Sequence, residues 1–175
     1  MSEQLKFEGN DEEWILIPEN ANSKAVEILK EEFFWDITDD ISPFGKDDGW
    51  DTLMSYRDWR LENANENANI FLDEFLDGWG VNNDNWNIQT EVEIKNEFHS
   101  DEFSLLARDN VIIALAFAQI VIDGIIDNEI KQKAIWAIER QQNPVLLNEV
   151  LLADFHEEWK RRLRLMNETL SNFEQ

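Results

Sequence analysis

An apolar stripe with helical spacing runs along the C-terminal part of the chain and limits the fold more than any other feature. Its members are Leu147, Val150, Leu151, Phe155, Trp159, Leu163, Met166, Leu170 and Phe173. Nearly all steps between successive members are three or four residues, which is the period of one helix face. The pattern predicts one helix of about 28 residues, about 42 Å long. A rod of this length exceeds what a small domain needs, so we expect its far end to cover a partner or a second subunit.

Five further helices are predicted from apolar spacing and from residues that cap helix ends. They are expected from Ser23 to about Phe34 and over residues 49–60, 67–77, 101–123 and 128–142. Gly78 or Gly80 is expected to end the third of them. The most apolar run, residues 111–126, is shorter than the roughly 20 residues that span a bilayer and contains Gln119 and Asp123. We therefore interpret it as a buried core helix, and no membrane partner is expected.

Two stretches are predicted to be strands. Residues 87–96 alternate apolar and polar side chains, which is the period of a half-buried strand. Trp14 to Ile17 is a short β-prone run that Pro18 ends, and it could pair with the first strand. The sequence therefore predicts an α+β fold: one mostly helical acidic domain over residues 1–175, with a small antiparallel sheet and a long C-terminal helix.

Charge is the strongest feature of the composition. The 175 residues include 15 Lys and Arg against 38 Asp and Glu, a net charge of −23, and residues 1–100 alone carry a net charge of −18. Nucleic acid is a poor partner for such a surface. The chain has no Cys and two His, which excludes thiol catalysis and Cys-based metal sites. The first thirty residues lack the pattern of a signal peptide, so we expect a cytoplasmic protein.

Six aspartates crowd around the turn formed by residues 42–45. They are Asp36, Asp39, Asp40, Asp47, Asp48 and Asp51. Oxygen ligands close together are what Ca²⁺ or Mg²⁺ requires, so the cluster is a candidate metal site, although the order of ligands found in an EF-hand is absent. The alternative is that Asp47 and Asp48 begin one helix while the first three aspartates end another. On that alternative the protein needs no cofactor.

A second acidic turn contains Asp123, Asp127 and Glu129. These residues could hold a cation. The alternative interpretation is that Gly124 ends one helix in a left-handed conformation while Asp127 or Asn128 caps the next.

Basic residues cluster once, at Lys160, Arg161, Arg162 and Arg164. The patch could bind a phosphate or an acidic peptide. The alternative is that these side chains pair with Glu157, Glu158 and Glu168, which lie four residues away on one helix.

Three of the eight tryptophans, Trp50, Trp79 and Trp86, lie beside turns rich in Gly or Asn. Exposed tryptophans anchor protein interfaces at low entropic cost. Together with Asp47 and Asp48, these three are the predicted binding residues. The alternative is that they cover a small core.

The segment EEFFWDITDDISPFGKDDGWDTLMSYRDWR, residues 31–60, resembles the YfeS-like group of small bacterial proteins. Its SPFGKDDGWDTL part is also similar to the G-P-F-x-N-D-D-A segment of other bacterial domains, with Lys46 where Asn is usual. The group has no established activity, so the resemblance implies a bacterial cytoplasmic protein and assigns no catalytic residue.

These observations predict a non-enzymatic acidic interaction protein. It would bind a basic protein partner, in the manner of a small immunity or inhibitor protein, with steering by charge followed by docking of the tryptophans. The alternative is a divalent-cation-binding protein or a metal-dependent hydrolase that uses the Asp36 to Asp51 carboxylates.

Overall fold

The structure, a computed structural model, describes residues 14–150 and 153–174, with only the backbone at Val150. Within these ranges the chain forms eight α-helices joined by short 3₁₀ turns and irregular loops. They are α1 (Ser23–Ile28), α2 (Asp47–Glu62), α3 (Ala68–Gly78), α4 (Glu91–Ser100), α5 (Glu102–Asp123), α6 (Asn128–Gln141), α7 (Pro144–Val150) and α8 (His156–Asn172). The 3₁₀ turns are Pro18–Asn20, Glu32–Trp35 and Ala153–Phe155.

Helix α5 is the centre of the fold. The Asp101 side chain accepts a 3.0 Å hydrogen bond from the Ser104 backbone N–H at its start, and Gly124 ends it with a φ of 68°. Every residue from Val111 to Ile122 is buried, with α2 and α6 packed on the helix and α8 packed on α6. By length and composition alone α5 could cross a membrane, but 89% of its most apolar window is buried inside the protein. The predictions of a core helix and of Gly124 as its end are confirmed.

The predicted sheet is wrong, because none of the described residues is in a β-strand. Thr90 instead begins helix α4: its hydroxyl accepts from the Glu93 N–H at 3.3 Å, and the Glu93 carboxylate accepts from the Thr90 N–H at 3.1 Å. The buried residues of α4 are Ile94 and Phe98, four residues apart, whereas Val92 is 69% exposed. The alternation within residues 87–96 therefore did not mark a buried face. Trp14 to Ile17 is likewise irregular chain.

Replacing Thr90 with alanine tests this capping box. We expect the free energy of unfolding to fall by about 1 kcal/mol, since the hydroxyl acceptor for the Glu93 N–H is lost. Urea unfolding followed by circular dichroism measures the change. Thr90→Ser, which keeps the acceptor, is the control and should unfold close to the unchanged protein. Equal losses in both variants would contradict the capping role.

The predicted single C-terminal helix is also wrong. Its sequence divides into α7, the 3₁₀ turn and α8, and Phe155 at the junction is 53% exposed. Leu147 of α7 lies in the main core together with the apolar face of α8, whereas Leu146 joins Ile94 and Phe98 in a small second cluster. The stripe therefore predicts the burial of both helices but not the 3₁₀ turn between them.

The remaining helices lie close to their predicted positions, with differences at their ends. Asn22, rather than Ser23, caps α1, and α1 ends at Ile28 instead of continuing to Phe34. Asp47 and Asp48 lie in the first turn of α2, where carboxylates favour the helix dipole, but neither is the cap. Helix α3 begins and ends one residue later than predicted, and α6 ends one residue earlier than predicted. Gly80, which follows α3, has a φ of 67°.

Candidate functional site

Three of the six clustered aspartates have a hydrogen-bond or ion-pair partner in the structure. Asp36 accepts from the Thr38 N–H and hydroxyl, at 2.8 and 2.7 Å, and these hydrogen bonds lower the pKa of Asp36. Asp39 accepts from the Ile41 N–H at 2.9 Å and forms an ion pair with Arg162. The others differ in their surroundings: Asp48 accepts from the Asn110 amide at 3.0 Å, and Asp40, Asp47 and Asp51 are exposed.

Lys46 provides a positive charge within this acidic segment. Its ammonium group lies 4.5 Å from the centroid of the Trp159 ring. Burial lowers the pKa of Lys46, and the nearby carboxylates of Asp48 and Asp40 oppose this shift. The chain itself thus supplies cations to the aspartates, through Lys46 and Arg162.

The aspartates do not converge on a common point. Among the described residues there is no group of three or more His, Cys, Asp or Glu side chains that could hold a metal ion. Asp36, Asp39 and Asp48 are each engaged by a different partner: Thr38, the Ile41 N–H with Arg162, and Asn110, respectively.

Two glycines allow the acidic segment to fold tightly. A Cβ atom at Gly45 would lie 1.7 Å from the Asp39 carbonyl oxygen, and one at Gly49 would lie 2.4 Å from the Pro43 carbonyl oxygen. Both contacts are with backbone, so a side chain at either position requires the turn to open. The tight fold of the SPFGKDDG segment therefore requires glycine at both positions.

The three predicted tryptophan anchors are on separate elements and differ in exposure. Trp50 on α2 and Trp79 after α3 are half-buried against the main core. Trp86 is only 8% exposed, and its indole N–H donates to the Asn83 carbonyl at 3.0 Å. Arg108 covers the Trp86 ring, with 5.2 Å between the guanidinium carbon and the ring centroid. Trp86 therefore retains little surface for a partner.

The structure brings together an acidic groove that the sequence reasoning did not identify. The groove has a volume of about 500 Å³. It is lined by Asp73, Glu74, Asp77, Val81, Asn83 and Asp84. The described residues that line the groove therefore include four carboxylates and no cation. The sequence signal was present in the polar face of α3, but the contribution of Asp84 depends on the turn at Gly80 that brings the chain back towards α3.

A row of aromatic rings runs from α2 along α3 to Trp79. Ring centroids are 5.7 Å apart between Trp59 and Phe71, 5.1 Å between Phe71 and Phe75, and 4.6 Å between Phe75 and Trp79. Distances in this range are typical of favourable aromatic pairs. Trp79 therefore sits on a rigid support, two residues after Asp77 of the groove.

Buried arginines bind the irregular chain between α3 and α4, which includes Asp84 of the groove. Arg140 binds Asp109 through two hydrogen bonds of 2.9 and 2.7 Å, and both side chains are fully buried. Arg140 also donates to the Trp86 and Ile88 carbonyls at 3.0 and 2.8 Å. Arg108 donates to the Asp84 carbonyl. The irregular chain between α3 and α4 is therefore fixed to the core through its carbonyl groups.

Burial makes the surface more acidic than the composition indicates. Four arginines of the described residues are buried: Arg57, Arg60, Arg108 and Arg140. Asp109 is the one buried acidic residue among those the structure describes. Burial thus removes four positive charges from the surface but one negative charge.

A polar cluster near the second acidic turn was also not predicted. The Tyr56 hydroxyl donates to Asp123 at 2.5 Å, and the guanidinium Nε of Arg60 lies 3.0 Å from the Tyr56 oxygen and 3.1 Å from Asp123. Burial raises the pKa of Asp123, and Tyr56 and Arg60 oppose this shift. Asp127 accepts from the Ala68 N–H and the Gln119 amide. The aspartates of this turn therefore join helices together, and among the described residues they are not part of a group of three or more metal-ligating side chains.

Tyr56 gives a direct test of this cluster, because it is the only tyrosine in the chain. Burial and the Asp123 carboxylate raise its pKa well above the ordinary value of 10. Since the folded pKa exceeds the unfolded one, the stabilising contribution is fully present below pH 10 and is lost as the pH rises above 10. We expect tyrosinate absorbance at 295 nm to appear only together with alkaline unfolding. In strong denaturant the midpoint should return to about 10. Ionisation near pH 10 in the folded protein would contradict the cluster.

Neighbouring acids neutralise most of the basic cluster on α8. Arg161 pairs with Glu158 at 2.8 Å, and Arg162 pairs with Glu158 at 2.7 Å and also with Asp39. Lys160 lies 3.5 Å from Glu157. Of the predicted pairs, the one between Glu158 and Arg162 is confirmed. The side chains are therefore engaged within the protein, which weakens their case as a phosphate or peptide site.

Comparisons with family models, curated proteins and solved structures find no match to this chain. The geometry of the molecule therefore provides the evidence about its function. The acidic groove combines a concave shape, uncompensated charge and a neighbouring aromatic side chain, which the separated aspartates of the Asp36 to Asp51 segment do not.

Proposed function

We propose that this chain is a non-enzymatic acidic interaction protein that binds a basic segment of a partner protein in the acidic groove. The observation that carries the proposal is the lining of the groove, where Asp73, Glu74, Asp77 and Asp84 face a common space of about 500 Å³. Complementary charge on the partner would supply lysine or arginine side chains to these carboxylates.

Charge in the groove supports fast and selective encounter more than high affinity. Exposed ion pairs contribute about 0.2 to 1 kcal/mol each, because water and salt screen them. Four such pairs are too weak to hold a complex alone. Association steered by charge, however, is faster than neutral association by orders of magnitude at low salt.

Trp79 supplies the apolar anchor in this proposal. It is half-buried, its ring contacts that of Phe75 at a tilt of 45°, and it follows the groove residue Asp77 by two positions. A guanidinium group of the partner could lie on such a ring while its neighbours pair with the groove carboxylates. Trp50 and Asp47 lie on α2, outside the acidic groove.

A binding measurement with a ten-residue arginine peptide tests the proposal. We expect Asp73→Asn, Asp77→Asn and Asp84→Asn, combined in one variant, to weaken binding at least tenfold at 50 mM salt. The loss should be small at 500 mM salt, where the unchanged protein also binds weakly. Fluorescence anisotropy of the labelled peptide provides the dissociation constants.

A matched control separates the groove from net charge. Glu19, Glu139 and Asp154 are exposed and lie outside the groove. Their combined replacement by Gln, Gln and Asn removes the same three charges and should weaken binding less than threefold. Equal weakening in the two triple variants would show that the peptide binds the acidic surface in general, and would overturn the proposal.

A further inference from the structure

A small cleft lies between the acidic segment and α8, away from the acidic groove. Ile41, Pro43, Ile113, Leu163 and Met166 form its apolar wall. Lys46, Trp159, Asn110 and Gln141 contribute polar atoms, and Asp40 lies at its edge. Its volume is about 30 Å³, which is enough for a group of about two heavy atoms in its interior. We call it the Lys46 cleft.

Trp159 brings an unpaired donor to the Lys46 cleft. The side chain is 6% exposed, and its indole N–H is buried with no hydrogen-bond acceptor among the described residues. Buried polar groups in folded proteins nearly always have a partner, because leaving one unpaired is costly. The indole therefore points to an acceptor that the described chain does not supply.

Lys46 is a second donor in the same place. Its ammonium group lies over the Trp159 ring, and the described residues give it neither a hydrogen bond nor an ion pair within 4.0 Å. Asp40 and Asp48 act on it only from a greater distance. The amides nearby are partly engaged with one another, since Gln141 donates to Asn110 at 3.3 Å and Asn110 donates to Asp48.

We propose that the Lys46 cleft binds the carboxylate head of a small monocarboxylic acid with a short alkyl chain. One carboxylate oxygen would accept from the Trp159 indole N–H and the other from the Lys46 ammonium group, which is the charge-assisted bond that Lys46 lacks. The alkyl chain would lie along the apolar wall. The two carboxylate oxygens would occupy the small interior, with the rest of the acid towards the open side of the cleft, whereas the four oxygens of phosphate exceed that interior.

The neighbouring carboxylates set the expected strength of binding. Asp40 and Asp48 repel an incoming anion and offset much of its attraction to Lys46. The affinity for the acid then depends on the indole hydrogen bond and on the burial of the alkyl chain. We expect millimolar dissociation constants that fall as the chain lengthens from acetate to butyrate.

The indole N–H resonances of ¹⁵N-labelled protein test this proposal. Trp159→Phe identifies the Trp159 signal among the eight tryptophans. Butyrate, titrated at constant ionic strength, should shift that signal to saturation. Butyramide, which has the same shape and no charge, should bind at least fivefold more weakly. Lys46→Met should abolish the preference for butyrate over butyramide, and Lys46→Arg should retain it.

Three results would overturn the proposal. They are the absence of a saturable shift, equal binding of butyrate and butyramide, and an unchanged preference in a folded Lys46→Met variant. The peptide measurement at the acidic groove uses different residues, so either proposal can fail without the other.

Discussion

Replacing Arg140 with methionine is expected to lower the free energy of unfolding by about 3 to 5 kcal/mol. The substitution leaves the Asp109 carboxylate buried with its bidentate partner removed, and it deprives the Trp86 and Ile88 carbonyls of their donor. Burial raises the pKa of Asp109, and Arg140 opposes that shift. Without Arg140, burial of the ion becomes too costly, so Asp109 should take up a proton on folding. Urea unfolding at pH 7 measures the loss of stability.

A second variant separates the effect of the lost ion pair on the free energy of unfolding from the effect of lost packing. Combining Arg140→Met with Asp109→Leu removes both charges, so no unpaired ion remains in the core. We expect the double variant to recover at least 1 kcal/mol relative to Arg140→Met alone. A double variant less stable than the single one would show that the two side chains do not act as a pair.

Replacing Phe117 with alanine is expected to cost about 3 to 5 kcal/mol. Phe117 is fully buried in α5, and its ring centroid lies 5.4 Å from that of Phe34. The change removes apolar surface and leaves a cavity that the helices around α5 cannot close completely. Thermal and urea unfolding provide the measurement.

The same helix contains its own control. Phe103, near the start of α5, is 64% exposed. Phe103→Ala should therefore change the free energy of unfolding by less than about 0.5 kcal/mol. Similar losses from the two substitutions would contradict the position of α5 at the centre of the protein.

Periodicity predicted the helices well where one face of a helix meets one core. Helix α5 follows its predicted range closely because Asp101 and Gly124 mark its ends and, from Val111 to Ile122, every residue except Gln119 is apolar. The same reasoning failed for α7 and α8, because the apolar spacing continues across the 3₁₀ turn Ala153–Phe155 that separates them. Phe155 fits the period but is 53% exposed, and spacing along a sequence does not show such an interruption.

The predicted strand failed for a related reason. Alternation over residues 87–96 fits a strand, but Thr90 and Glu93 also form a capping box, and Ile94 and Phe98 form a helical pair. The local hydrogen bonds of the cap and the burial of that pair favour the helix.

The acidic groove was not predicted from the sequence. Acidic charge and tryptophans were expected to form a binding surface, which stays a prediction, and Trp79 follows the groove residue Asp77 by two positions. Arg108 donates to the Asp84 carbonyl and Arg140 to the Trp86 carbonyl, and contacts between residues so distant in sequence leave no local pattern. The aspartates that the sequence brings together, from Asp36 to Asp51, form no group of three or more metal ligands among the described residues.

Mapping the peptide on the protein tests the central claim most directly. Backbone amide resonances of ¹⁵N-labelled protein, followed during addition of the ten-residue arginine peptide at 50 mM salt, show where it binds. The acidic groove predicts that the largest shifts fall within residues 73–84, with the Trp79 indole N–H among them. Shifts of similar size spread over the exposed acidic residues, or concentrated at Asp36 to Asp51, would contradict the account.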